Sequence, residues 1–296
     1  MKNYFYTLSL VGIIFFSSGC FSEKNESKES YLGQKPPGLK AEIFAPDIVS
    51  TDENDEYGFT LSAKTKELYF TRKFKNPRRD FIFSSKFTTK GLNIPEKVGF
   101  IKDDNIAEPM LSPNEDLFIF GKRLQDTILN TITPQVWYMK KEAAKWSKPR
   151  YLLDGMYASM DRDDNIYYTD ISDGIQKSKI ARAKFENNSI HETEVFSESI
   201  NSQYQSAHPF VSPKGDFIIF DSERLDGFGS SDLYISFRKE IGWYTPQNLG
   251  EGINTENYEA LPYLSPDGKY LFFTRVIDQG DIYWIDAKII EELRPK

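Results

Sequence analysis

Seven side chains able to move protons or hold polar ligands stand shortly before a turn block that recurs along the chain: Glu56, Tyr57, Glu108, Tyr157, His208, Tyr258 and Glu259. Two carboxylates on either side of one bond are the equipment of a glycoside hydrolase, where one protonates the leaving oxygen and the other acts as base or nucleophile. Glu108 with Glu56 or Glu259 would provide such a pair. Glu108 and His208 share an offset, four residues ahead of Ser112 and Ser212. Arg72, Arg123, Arg224 and Arg275 follow the start of the block by 10 to 12 residues. A ring of guanidinium groups would grip carboxylates or phosphates. Paired with acidic residues of their own units, the same arginines are structural, and the sequence favours that role.

Other chemistries find little support. One Cys and two His (His191 and His208) in 296 residues exclude a disulfide, a thiolate cluster and a multi-histidine centre, so neither cofactor nor metal is expected. Asp226 and Asp232 bracket Gly227 and Gly229 without the spacing of a known calcium loop. No Gly-x-Ser-x-Gly elbow offers a hydrolase serine. A formal charge of −7 argues against nucleic acid as a partner. With 39% hydrophobic and 15% aromatic residues, the chain has ample side chains for a large core and is not a solvated, disordered polymer.

The elements that must position these residues are repeats. Leu61-Ser62-Ala63-Lys64, Leu111-Ser112-Pro113-Asn114, Met160-Asp161-Arg162-Asp163, Val211-Ser212-Pro213-Lys214 and Leu264-Ser265-Pro266-Asp267 each lead into an aromatic, β-branched run, 49 to 53 residues apart. Ser-Pro-Asp-Gly is turn chemistry, so these serines read as structural and not catalytic. Each unit continues with a second run, such as Asp232-Leu233-Tyr234-Ile235, and an edge segment such as Trp146-Ser147-Lys148-Pro149, in which Pro is placed in the last strand because an edge tolerates its missing N–H. Four short strands per unit predict an all-β fold: a single β-propeller of five four-stranded blades over residues 40–290. Six blades is the alternative, if the degenerate third unit is longer than it looks. The last unit has three strands, to Ile290, and Ala41-Glu42-Ile43-Phe44-Ala45-Pro46 at the front is an unassigned strand. Joining them closes the ring and removes the exposed edges.

Residues 1–19 read as a leader: a basic start, an apolar run over Tyr4–Phe16 too short to span a bilayer, and Ser17-Ser18-Gly19 before Cys20. This resembles the bacterial lipobox, which implies an acylated Cys20. Residues 20–39 read as a flexible tether, and 291–296 as a C-terminal tail.

Ser265-Pro266-Asp267-Gly268-Lys269, Tyr270-Leu271-Phe272-Phe273 and Asp281-Ile282-Tyr283 together resemble the TolB-type, WD-like propeller repeat. The stretch Asp221–Tyr234 is similar to repeats of Bacteroidetes envelope proteins. The resemblance implies the fold over nearly the whole mature chain, and no single function. In a propeller, the residues ahead of the turn block face the central channel mouth, where ligands bind. The sequence therefore predicts an outer-membrane lipoprotein facing periplasm or cell surface, a non-catalytic binding or scaffold module for an envelope protein or glycan. The alternative is a carbohydrate-active enzyme using carboxylates at the mouth.

Overall fold

The computed structural model describes Met1, residues 30–126 and residues 131–296, and nearly all its ordered elements are strands. Residues 2–19 of the leader, Cys20 and the first part of the tether, to residue 29, lie outside the described residues. The chain builds five antiparallel sheets around one axis, each entered by its innermost strand. Blade one runs Asp55–Leu61, Glu67–Lys75, Arg78–Thr88, with Gly91–Leu92 and Glu96–Lys97 on its outer edge. Blade two runs Ile106–Leu111, Leu117–Asp126, Thr131–Glu142, edged by Lys145–Trp146 and Arg150–Asp154. The degenerate unit is a complete third blade: Met156–Met160, Asn165–Asp170, Lys179–Glu186, Ser189–Val195. Blade four runs Ser206–Val211, Phe217–Ser222, Asp232–Phe237, Gln247–Asn248.

Blade five takes Tyr258–Leu264, Tyr270–Val276 and Gly280–Asp286 from the end of the chain and its outer strand, Glu42–Ile43, from the beginning. Glu42 pairs with Trp284 and Ile43 with Tyr283, and the Phe44 N–H continues the ladder to the Ile282 carbonyl at 2.8 Å. The Phe44 ring locks this closure, edge-on to Phe59, Phe272 and Trp284 at 5.5, 5.1 and 5.3 Å. Central strands such as Ile106–Leu111 and Phe217–Ser222 are buried on both faces, because each blade packs between two others.

The turn block acts through its side chain. Ser112 Oγ accepts the N–H groups of Asp116 and Leu117 at 3.2 and 3.0 Å, and Ser265 Oγ those of Lys269 and Tyr270 at 3.1 and 3.0 Å. In the third blade Asp161 Oδ1 does the same for Asp163 and Asn165, which explains why Asp replaces Ser there.

Three boundaries differ from the sequence expectation. The prolines of the edge segments do not sit within an outer strand: Pro95 and Pro149 fall in the gap between two short edge pieces, and Pro246 just ahead of Gln247–Asn248. Without an N–H, pairing breaks at Pro and resumes beyond it. The final strand ends at Asp286, and Lys288–Glu292 is a short helix whose Ile290 is buried. The tail beyond it is docked, with Arg294 over the Phe237 ring at 4.8 Å and 3.2 Å from Asp216. At the other end, the last part of the segment read as tether packs on the ring: Leu32 is buried and Tyr31 lies 4.5 Å from the Tyr270 ring.

Candidate functional site

All five innermost strands carry an irregularity at the same height, between Tyr57 and Phe59, Ala107 and Met110, Met156 and Ala158, Ala207 and Phe210, and Ala260 and Tyr263. At each, the residue four positions before the turn residue is left-handed: Gly58 (φ 59°), Glu108 (57°), Tyr157 (34°), His208 (48°) and Leu261 (56°). Such a conformation costs about 1–3 kcal/mol per residue with a Cβ and persists only where surroundings enforce it. Here a ring of hydrogen bonds does so. The N–H of each bulge residue is accepted by a side chain from the preceding blade: Gly58 by Thr274 Oγ1 (3.3 Å), Glu108 by Thr71 Oγ1 (2.8 Å), His208 by Thr169 Oγ1 (2.8 Å) and Leu261 by Asp221 Oδ1 (3.3 Å).

Blade two breaks the pattern in an informative way. The position of those acceptors is Gly121, which has no side chain. The Glu108 carboxylate takes its place, with Oε2 accepting the Tyr157 N–H at 3.1 Å. A Cβ on Gly121 would stand 3.3 Å from that oxygen. Glu108 is therefore both a member of the ring and a substitute for a missing acceptor.

The three polar bulge residues are buried, Tyr157 at 1% exposure and Glu108 and His208 at 8%, and they contact one another. The Tyr157 hydroxyl donates to the Pro262 carbonyl at 2.8 Å, which carries its side chain from blade three to blade five. The His208 ring lies edge-on to Tyr157, centroids 5.7 Å apart. Its Nδ1 is 2.9 Å from Asp221 Oδ1, so Nδ1 carries the proton given to that carboxylate. Burial alone would lower the imidazole's proton affinity. The Asp221 carboxylate and the charge of Glu108 outweigh it and hold His208 above its ordinary value. A His raised on folding contributes stability that is complete below its unfolded value of about 6.5 and is lost as pH rises through the folded one. Denaturation midpoints of the wild type should fall more steeply than those of His208→Gln as pH rises above about 6.5. Parallel curves would show that this pair does not titrate in that range.

Glu56 and Glu259, the sequence's other carboxylate candidates, are not partners for Glu108. Both are fully buried and neutralised within their own blades. Glu56 lies 2.7 Å from Arg72 Nε and accepts from the Thr51 N–H and hydroxyl, both at 3.0 Å. Glu259 repeats this with Arg275 Nε at 2.7 Å and Thr255. Burial pushes the Glu56 carboxyl up to about 7, against the pull of Thr51 and Arg72. Their departure from the channel follows from the bulge. They lie six residues before the turn residue, and the irregularity flips the alternation between offsets six and four. The arginines likewise form no open ring. Arg123 reaches Asp80 of the preceding blade at 2.8 Å, not an acid of its own unit, and Arg224 donates to the Ile200 carbonyl at 2.6 Å. Tyr57, its hydroxyl buried, lies among the charges of Asp80, Arg123 and Glu108, and burial raises it well above the usual tyrosine range. Tyr258 is partly buried against the core, and burial raises it too.

Sequence reasoning overlooked Thr71, Gly121, Thr169, Asp221 and Thr274. Their signal is a fixed offset of eight or nine residues after the turn residue. The connections on either side of the innermost strands also differ in charge. Loops leading into the innermost strands (44–54, 98–105, 155, 196–205 and 249–257) hold eight acidic residues and one lysine. The turns leaving them (62–66, 112–116, 161–164, 212–216 and 265–269) hold seven acidic and five basic residues. At the turn end lies a cavity of about 200 Å³, lined by Leu61, Met110, Met160, Phe210 and Tyr263 among others.

No family model matches the sequence, and no curated protein matches it. Solved structures do. TolB from Acinetobacter baumannii is similar at a TM-score of 0.52 and 14% identity, over 79% of this chain and 52% of that one. The chain thus spans about half the length of that TolB. A glycoside hydrolase matches at 0.52 and 9% identity, over 88% and 92% of the two chains. An alpha-L-arabinofuranosidase from Lactobacillus brevis matches at 0.50 and 9%, over 80% and 91%. At these identities the likeness is one of fold: a TolB-like β-propeller.

Proposed function

We propose that this chain is a non-catalytic binding module of the bacterial envelope, held to the outer membrane by acyl chains on Cys20, which takes a protein or glycan partner at the channel mouth. The observation that carries this reading is the fate of the carboxylates. Glu56 and Glu259 are buried under Arg72 and Arg275, and Glu108 is engaged with the Tyr157 backbone. A glycosidase needs two carboxyl groups free to face one bond. The buried, strained Glu108, Tyr157 and His208 would form a fixed floor beneath such a mouth, so that little ordering entropy remains to be lost on binding. The acidic loops around it favour a partner that presents a basic face.

The test uses protein starting at Ser30, which keeps the docked Tyr31 and Leu32, incubated with a panel of envelope and dietary glycans and with a basic peptide, reading thermal shift and product masses together. A melting shift without new masses, lost in His208→Ala, is the expected result. New product masses that vanish in Glu108→Gln would replace this reading with the enzyme one.

A further inference from the structure

We infer that the end of the ring carrying the Ser-Pro turns faces the lipid bilayer, so that the mouth with Glu108, Tyr157 and His208 opens away from it. The inference rests on the proposed acylation of Cys20 and adds to it a fixed orientation.

The first ground is where the chain leaves the ring toward its N-terminus. Tyr31 and Gln34 exchange backbone hydrogen bonds of 3.0 and 2.9 Å in a tight loop. The Tyr31 ring packs at 4.5 Å on Tyr270 and 6.2 Å on Trp284, and its hydroxyl donates to Asp267 of the fifth turn at 3.4 Å. Leu32 is buried. Gly33 is left-handed (φ 78°), and a Cβ there would come within 3.2 Å of the Phe87 ring of blade one. The segment is thus clamped at the turn end, across the seam where blades five and one meet. Ten residue spacings separate Cys20 from Ser30, a reach of at most about 36 Å. Passing to the mouth end would first require climbing a blade edge, about 23 Å for a seven-residue strand. Most of the available chain would be used in the climb, whereas a membrane beneath the turns is reached directly.

The second ground is charge. The loops leading into the innermost strands hold eight acidic residues against one lysine, and the turns leaving those strands hold seven against five basic ones. An anionic leaflet repels the first surface more strongly, within a Debye length of about 8 Å. Chain connection and electrostatics select the same end.

The experiment uses the full acylated protein in vesicles containing phosphatidylglycerol. Cys20 is the chain's only cysteine and its thiol would be consumed by acylation, so one introduced cysteine can be labelled alone. Lys214→Cys and Gln203→Cys place a fluorophore on exposed positions at opposite ends of blade four's innermost strand. Brominated lipids should quench the Lys214→Cys label several-fold more than the Gln203→Cys label, and Tyr31→Ala with Leu32→Ala should reduce the difference. Equal quenching, or stronger quenching at position 203, in protein that carries the acyl mass and floats with vesicles would overturn the orientation alone. Absence of acyl mass on Cys20 would overturn the anchor and the orientation with it.

Discussion

Replacing Arg275 with methionine is expected to lower the unfolding free energy by about 3–5 kcal/mol, the usual cost of leaving one member of a buried pair without its partner. Glu259 is fully buried, and Arg275 supplies its neutralising charge at 2.7 Å. The Thr255 N–H and hydroxyl would remain, at 3.1 and 2.6 Å, but neither carries a charge. The guanidinium also donates to the Ile253 carbonyl at 2.6 Å and lies 4.4 Å from the Tyr283 ring centre, so the loop entering blade five would lose its tie to the second strand. Urea unfolding at pH 8 measures the loss. Arg275→Met combined with Glu259→Gln should recover a substantial part of it, since the orphaned charge is then gone. A single-variant loss under about 1 kcal/mol would mean that solvent reaches the pair, and the buried account would fail.

Phe44→Ala should cost a similar amount, about 3–5 kcal/mol, through the cavity left by a large buried ring. Its consequence is more specific. Phe44 belongs to the strand that closes the ring, and three of its aromatic neighbours come from blades one and five. Loosening it exposes the edge of Gly280–Asp286, so amide exchange should accelerate first there and at Glu42–Ile43. Exchange that rises uniformly over all five blades would show that the closure is not an independent unit.

The propeller was legible because the same turn chemistry recurs at nearly constant spacing, and a side chain that accepts backbone N–H groups two to five residues on needs nothing distant to act. Closure was legible for a related reason: a last unit one strand short and an unassigned strand at the front leave two edges that only each other can satisfy. The short helix at Lys288–Glu292 and the docked Tyr31 were not visible, because both depend on surfaces made by other blades.

The mouth divides along the same line. Sequence alone determined the repeat and its spacing, the closing strand and the shared offset of Glu108 and His208, all properties of repeats read one unit at a time. Only the tertiary structure decided that Glu56 and Glu259 turn away to Arg72 and Arg275, that Glu108 fills the place left by Gly121, and that Asp221 holds His208. The reason is the bulge. It reverses the two-residue alternation inside each innermost strand, and it is stabilised mainly by hydrogen bonds from the neighbouring blade, which no single repeat contains.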